Sequence, residues 1–157
     1  MLARSKVARS SAQYSPGILT GISLGAGLRP DAKASLPADK REIARSVTEL
    51  SELAEGLCSH ALDKNTHGSQ SMFEELQAQV WEVRPLVRPD IAARLSRQAR
   101  EVRIALGRRK LAGAALAAAE IYRLAVREIP WDAREVPLRV CLLNYAALKL
   151  MALSRNA

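Results

Sequence analysis

Apolar residues recur along this chain at steps of three and four. Ile43, Val47, Leu50, Ala54, Leu57 and Ala61 keep that spacing, so they fall on one stripe of a single helix. Just before them, Asp39-Lys40-Arg41-Glu42 sets a side-chain acceptor three residues ahead of a glutamate, an arrangement that satisfies two free amides at a helix start. The spacing therefore predicts a first helix opening at Asp39, with its stripe as one wall of an intramolecular bundle or as a coiled-coil partner face. Residues 63–69, with Asn65 and Gly68, read as a loop. Ser71-Met72-Phe73-Glu74 reads as a second capping box, followed by the stripe Phe73, Leu76, Val80 and Val83.

Pro85 and Pro89 bracket a short connection, because proline lacks an amide proton and pushes the residue before it away from helical geometry. Asp90 is placed to cap a third helix over 91–106. Gly107-Arg108-Arg109-Lys110 interrupts the pattern, an alanine-rich helix follows over 111–129, and Pro130-Trp131-Asp132 breaks the chain again. The last helix, 137–153, differs from the rest. Nothing between Arg139 and Lys149 is charged at neutral pH, and Arg139, Asn144 and Lys149 fall on three different sectors of the wheel. A helix without a water face is expected to be surrounded by neighbouring helices or by a second subunit, with Leu143 buried.

The expected fold class is all-α, an up-and-down helical bundle of four to five helices. It has four if the second and third segments form one bent rod and five if they do not. Ala112, Ala114, Ala115, Ala117, Ala118 and Ala119 allow the fourth segment to pack closely, with the last helix as its natural neighbour. A chain of 157 residues suits one domain with a real core. Residues 36–157 are assigned to that domain and 1–35 to a targeting or disordered segment.

Within that segment, Arg4, Lys6 and Arg9 precede an uncharged stretch at 17–28 and the small-residue run Ala32-Lys33-Ala34-Ser35, the layout of a secretory signal peptide. An organelle transit peptide and a disordered extension are the competing readings. The apolar run is shorter than the roughly 20 residues a membrane span requires, so no transmembrane helix is expected. The expected localisation is periplasmic or secreted, and otherwise cytoplasmic. Charge supports the division: the whole chain carries +8, half of which lies in its first 34 residues.

The chemistry available is limited. Cys58 and Cys141 are the only cysteines, which excludes C-x-x-C redox pairs and four-cysteine zinc sites. They are read as two buried thiols or, in an exported chain, as one disulfide between the first and last helices. Cys58 and His60 point about 200° apart on a helix, so with His67 they make no metal site, and no metal or cofactor is expected. No nucleophile elbow or phosphate-binding glycine loop is present, so no catalytic residue is assigned.

The most pronounced charge feature is the run 84–110. It carries Arg84, Arg88, Arg94, Arg97, Arg100, Arg103, Arg108, Arg109 and Lys110 against Asp90 and Glu101, a local balance of +7. Such a segment suits phosphates, anionic lipid or an acidic protein, or is simply a solvated helix face. Its steps of three drift around the helix, and no aromatic interleaves them for base stacking. Glu120, Tyr122, Asn144 and Tyr145 stand out as polar groups within apolar segments, where burial would require them to find partners.

Glu120-Ile121-Tyr122-Arg123-Leu124, followed by Val136-Pro137-Leu138-Arg139-Val140-Cys141-Leu142-Leu143-Asn144-Tyr145, resembles the carboxy-terminal part of small exported helical proteins of proteobacteria. There the stretch reads roughly E-V-Y-R-L, then V-P-V-E-V and L-D-Y. Arg139 and Asn144 stand here where that pattern has acids. The resemblance implies export and a helical bundle and supplies no activity. The functional expectation is a non-enzymatic binding or accessory protein of the cell envelope, meeting a protein partner or a second copy through its last helix. An intracellular nucleic-acid-associated protein using 84–110 is one alternative. A small-ligand or metal carrier in the bundle core is another.

Overall fold

The structure is a computed structural model and describes residues 38–156. The segment 1–35 and its cleavage motif lie outside the described residues. Five α-helices follow in order: α1 (Ala38–Leu62), α2 (Thr66–Val83), α3 (Pro89–Gly107), α4 (Leu111–Glu128) and α5 (Leu138–Asn156), with no strand among the described residues. The fold is an all-α bundle.

By compactness the chain forms two units. The larger holds Ile43–Ile129 and the residues from Arg134 onward; residues 39–42 and Pro130–Ala133 belong to the smaller. Within the smaller unit, Lys40 Nζ lies 4.0 Å from Asp132. The hydrophobic core lies in the larger unit.

The α1 stripe lies inward: Val47, Leu50, Ala54 and Leu57 are fully buried, Ala61 nearly so and Ile43 partly. On α2, Phe73, Leu76, Val80 and Val83 are buried, and on α3, Ile91, Leu95, Ala99 and Val102. α4 is the most enclosed helix, and its backbone packs along both α3 and α5. Alanine at the contact lets helix axes come together where leucine would hold them apart. α2 and α3 pack side by side across the 3-10 turn Arg84–Leu86, so they are two separate helices and the described residues form five.

The helix ends depart from the sequence expectation. α2 begins at Thr66, inside the segment read as a loop, because Asn65 Oδ1 accepts the amide proton of Gly68 at 2.8 Å and so supplies the cap. Gly68 is helical, and a Cβ there would stand 2.8 Å from His60 Nδ1 and 2.6 Å from Asn65 Nδ2. α3 begins at Pro89 with no side-chain cap, so Asp90 sits in its first turn instead of capping it. α1 already includes Ala38, and Asp39 Oδ1 accepts from the Lys40 amide.

The breaks after α1 and α3 share one geometry. Asn65 N–H donates to His60 O and Lys64 N–H to Ala61 O; Lys110 N–H donates to Ala105 O and Arg109 N–H to Leu106 O. This paired bonding closes a helix through one left-handed residue, here Lys64 at φ 60° and Arg109 at φ 56°. Gly107, read as the interruption, is the last helical residue. Glycine relieves the Cβ crowding of a left-handed backbone, so Arg109→Gly is expected to stabilise the fold by about 0.5 kcal/mol after its greater unfolded-state entropy is subtracted. A melting temperature that stays level or falls in thermal denaturation would count against this account of the turn.

Candidate functional site

The residues singled out in the sequence fall into three surfaces or clusters, and the first lies between α1, α4 and α5. Tyr145 O–H donates to Glu120, and Arg123 Nε donates to the same carboxylate at 3.1 Å. Asn144 Nδ2 donates to Tyr122 Oη and to Glu55 Oε2, each at 3.2 Å. Arg123 and Lys149 lie over the Tyr145 ring at 5.8 and 5.6 Å. Glu120, Tyr122, Asn144 and Tyr145 thus share one interhelical network, which also recruits Glu55 and Arg123. Partial burial opposes ionisation of Glu120, but the bonds from Tyr145 and Arg123 and the nearby cations outweigh it and hold the carboxyl below its ordinary range. Burial pushes the Tyr122 phenol up. Every polar group in the network has a partner, and it joins helices without presenting a reactive atom.

Both cysteines are buried and free. Cys58 Sγ donates to Ala115 O at 3.4 Å, whereas Cys141 lies beside Tyr122. The two thiols are unbonded to each other in this structure. Burial pushes the Cys58 thiol up to about 12, with Glu55 adding to the shift. It therefore remains protonated through neutral pH. Iodoacetamide at pH 8 is expected to leave the native protein unmodified and to add two groups after denaturation, read by intact mass. Rapid native labelling would contradict the burial.

The second surface is α3. With Ile91, Leu95 and Val102 facing inward, its arginines sweep over the exposed half, from Arg94 on one flank through Arg97 and Arg100 to Arg103 on the other. Arg108, Arg109 and Lys110 continue it. Among the described residues none of these seven forms an ion pair; Arg88 alone meets Asp90, at 3.6 Å. The aromatic group missing from the basic run comes from the preceding helix. Trp81, 69% exposed, carries the Arg84 guanidinium 4.5 Å above its ring. Together with Pro85, Val87, Pro89, Ala92 and Ala93 they line an open groove of about 660 Å³.

The third is α5, which the described helices cover on one side only, so Leu143 is not buried within them. Only Cys141, Leu148 and Ala152 are buried, with Leu138, Asn144 and Tyr145 partly covered. The opposite face is open: Leu143 is 69% and Leu150 67% exposed, and Val140, Met151 and Leu153 are also exposed. Bundle neighbours cover one side of the helix, and its lack of charge leaves the other side apolar without cover from the described residues. No described helix is long and apolar enough to cross a membrane, and no described group of three His, Cys, Asp or Glu residues is placed to hold a metal ion.

Fold and surfaces together define a helical-bundle protein with one basic helix face and one apolar helix face. Comparison with protein-family models, with curated proteins and with solved structures finds no match for this chain.

Proposed function

We propose that this chain is a non-enzymatic binding or accessory protein of the cell envelope that works by associating with protein through the exposed face of α5. The observation that carries the reading is the uncharged arc through Val140, Leu143, Ala147 and Leu150, opposite the side of α5 that packs on the bundle. Contiguous apolar surface of this kind is costly in water and marks interaction sites. The signal-like amino terminus supports the envelope. A photo-crosslinking side chain at Leu143, used in cells that produce the protein natively and followed by fractionation, tests both parts. The expected result is a crosslinked protein in the envelope fraction. No crosslink would end the association reading, and a crosslink confined to cytosol would end the envelope assignment.

The unpaired α3 cations beside Trp81 favour a second reading, association with single-stranded nucleic acid, in which arginines meet phosphates and the indole stacks on a base. It calls for oligonucleotide affinity that falls steeply between 50 and 200 mM salt, to be measured by fluorescence anisotropy, and that Arg97→Glu with Arg100→Glu abolishes. Binding insensitive to both changes would dismiss it.

A further inference from the structure

We infer that the groove between the end of α2 and the start of α3 docks an acidic amphipathic peptide segment of a partner protein, its apolar side chains seated against Trp81 and its carboxylates running on along α3. The inference stands apart from α5 and gives the chain a second protein-binding surface.

The lining decides the chemistry. Pro85, Val87, Pro89, Ala92 and Ala93 give the groove aliphatic walls, Trp81 and Arg84 supply the rest, and no acid lines it. Its volume of about 660 Å³ falls within the size range of sites that enclose a ligand. Trp81 is 69% exposed, and an indole left in water beside aliphatic walls is the kind of residue that carries binding energy at protein interfaces. Pro85 and Pro89 hold φ fixed on either side of the connection, which lowers the ordering cost of binding.

Charge selects an acidic partner. The Arg84 guanidinium lies 4.5 Å over the indole, so its flat face is used by the ring while its N–H edge stays available, a fork pre-set for a carboxylate. Arg97 and Arg100 stand four and seven residues beyond Ala93 on one stripe of α3, and Arg103 stands eleven beyond Ala92 on the next. At a rise of about 1.5 Å per residue these cations lie roughly 6, 10 and 16 Å past the groove. All three are exposed, and none forms an ion pair among the described residues. Asp90 is met by Arg88. The first 34 residues of the chain are themselves net positive, so they do not match this surface.

The same cations suit the phosphates of a nucleic acid strand, and the walls separate the two occupants. One face of the indole is taken by Arg84, and proline, valine and alanine offer methyl and methylene surface in place of the flat platforms on which successive bases stack. An apolar anchor followed by carboxylates satisfies both parts of the site.

Trp131→Phe leaves Trp81 as the sole tryptophan of the full chain, so its fluorescence reports the groove. The probe is a synthetic peptide with a leucine cluster followed by a run of glutamates. Its controls, of the same length, are a peptide of glutamates alone and one whose glutamates are replaced by glutamine. The leucine-glutamate peptide is expected to shift Trp81 emission to the blue in a saturable titration, and both controls to bind at least about 10-fold more weakly. By anisotropy of the labelled peptide, Trp81→Ala is expected to weaken binding about 30-fold, and Arg97→Glu with Arg100→Glu at least as much. All three side chains are exposed, so helix content by circular dichroism is expected to stay unchanged. Equal affinity for the all-glutamate peptide, or binding unmoved by Trp81→Ala, overturns the inference, as does a titration that never saturates. An emission shift produced by a single-stranded oligonucleotide and not by the peptide gives the surface to nucleic acid and overturns it too.

Discussion

Leu57→Ala is expected to cost about 3 kcal/mol and to lower the melting temperature by roughly 10 °C. Leu57 has no exposed surface and stands on the α1 stripe between Ala54 and Ala61, beside Cys58, which bonds to the α4 backbone. Truncation removes apolar atoms from a core that already uses small residues on α4, so little nearby can move to fill the space. The cost then includes the cavity as well as the lost transfer free energy. Thermal melts by circular dichroism check it; a loss below about 1 kcal/mol would mean that α1 is not packed as described.

The reverse change carries the second large effect. Ala118→Leu is expected to destabilise by about 2 kcal/mol although it adds apolar surface. Ala118 is fully buried on the helix that packs along both α3 and α5. A leucine there must separate two helices or adopt a strained rotamer, and either outcome outweighs the hydrophobic gain. Ala78→Leu, on the exposed side of α2, is the control and should leave the melting temperature nearly unchanged. Equal behaviour of the two variants would refute the account of α4.

The helices with a polar side were legible because the 3.6-residue period is written twice, once in apolar residues and once in the charges opposite them; α1 is the clearest case. Helix ends were legible only where the expected side chains sat in the expected places. Gly68 and Gly107 were read as breaks, yet both are helical, and the residues that turn the chain are Lys64 and Arg109, whose side chains advertise no left-handed backbone. Gly68 instead keeps space clear for His60 and Asn65, a tertiary cause that spacing does not reveal.

The same limit applies to the functional surfaces. Glu120, Tyr122, Asn144 and Tyr145 stood out because each interrupts an apolar segment, whereas Glu55 did not, since it lies among the charged residues of α1. Trp81 was separated from the arginines by a helix boundary and joins them only because α2 folds back against α3. In α5 the absence of charge pointed to cover by neighbouring helices or by a second subunit, and the described helices supply it on one side only. Absence of charge reports that water is disfavoured, and leaves open whether the cover comes from the same chain or from another.

The alanines of α4 have a consequence for the entropy of folding. Alanine has no rotamers to lose, so the most enclosed helix of the bundle is also the one whose side chains surrender least freedom when the chain orders. The compensating weakness is that these alanines bring little apolar area of their own. The helix at the centre of the fold therefore forms at low entropic cost but depends for its stability on the larger side chains that α1, α3 and α5 lay against it.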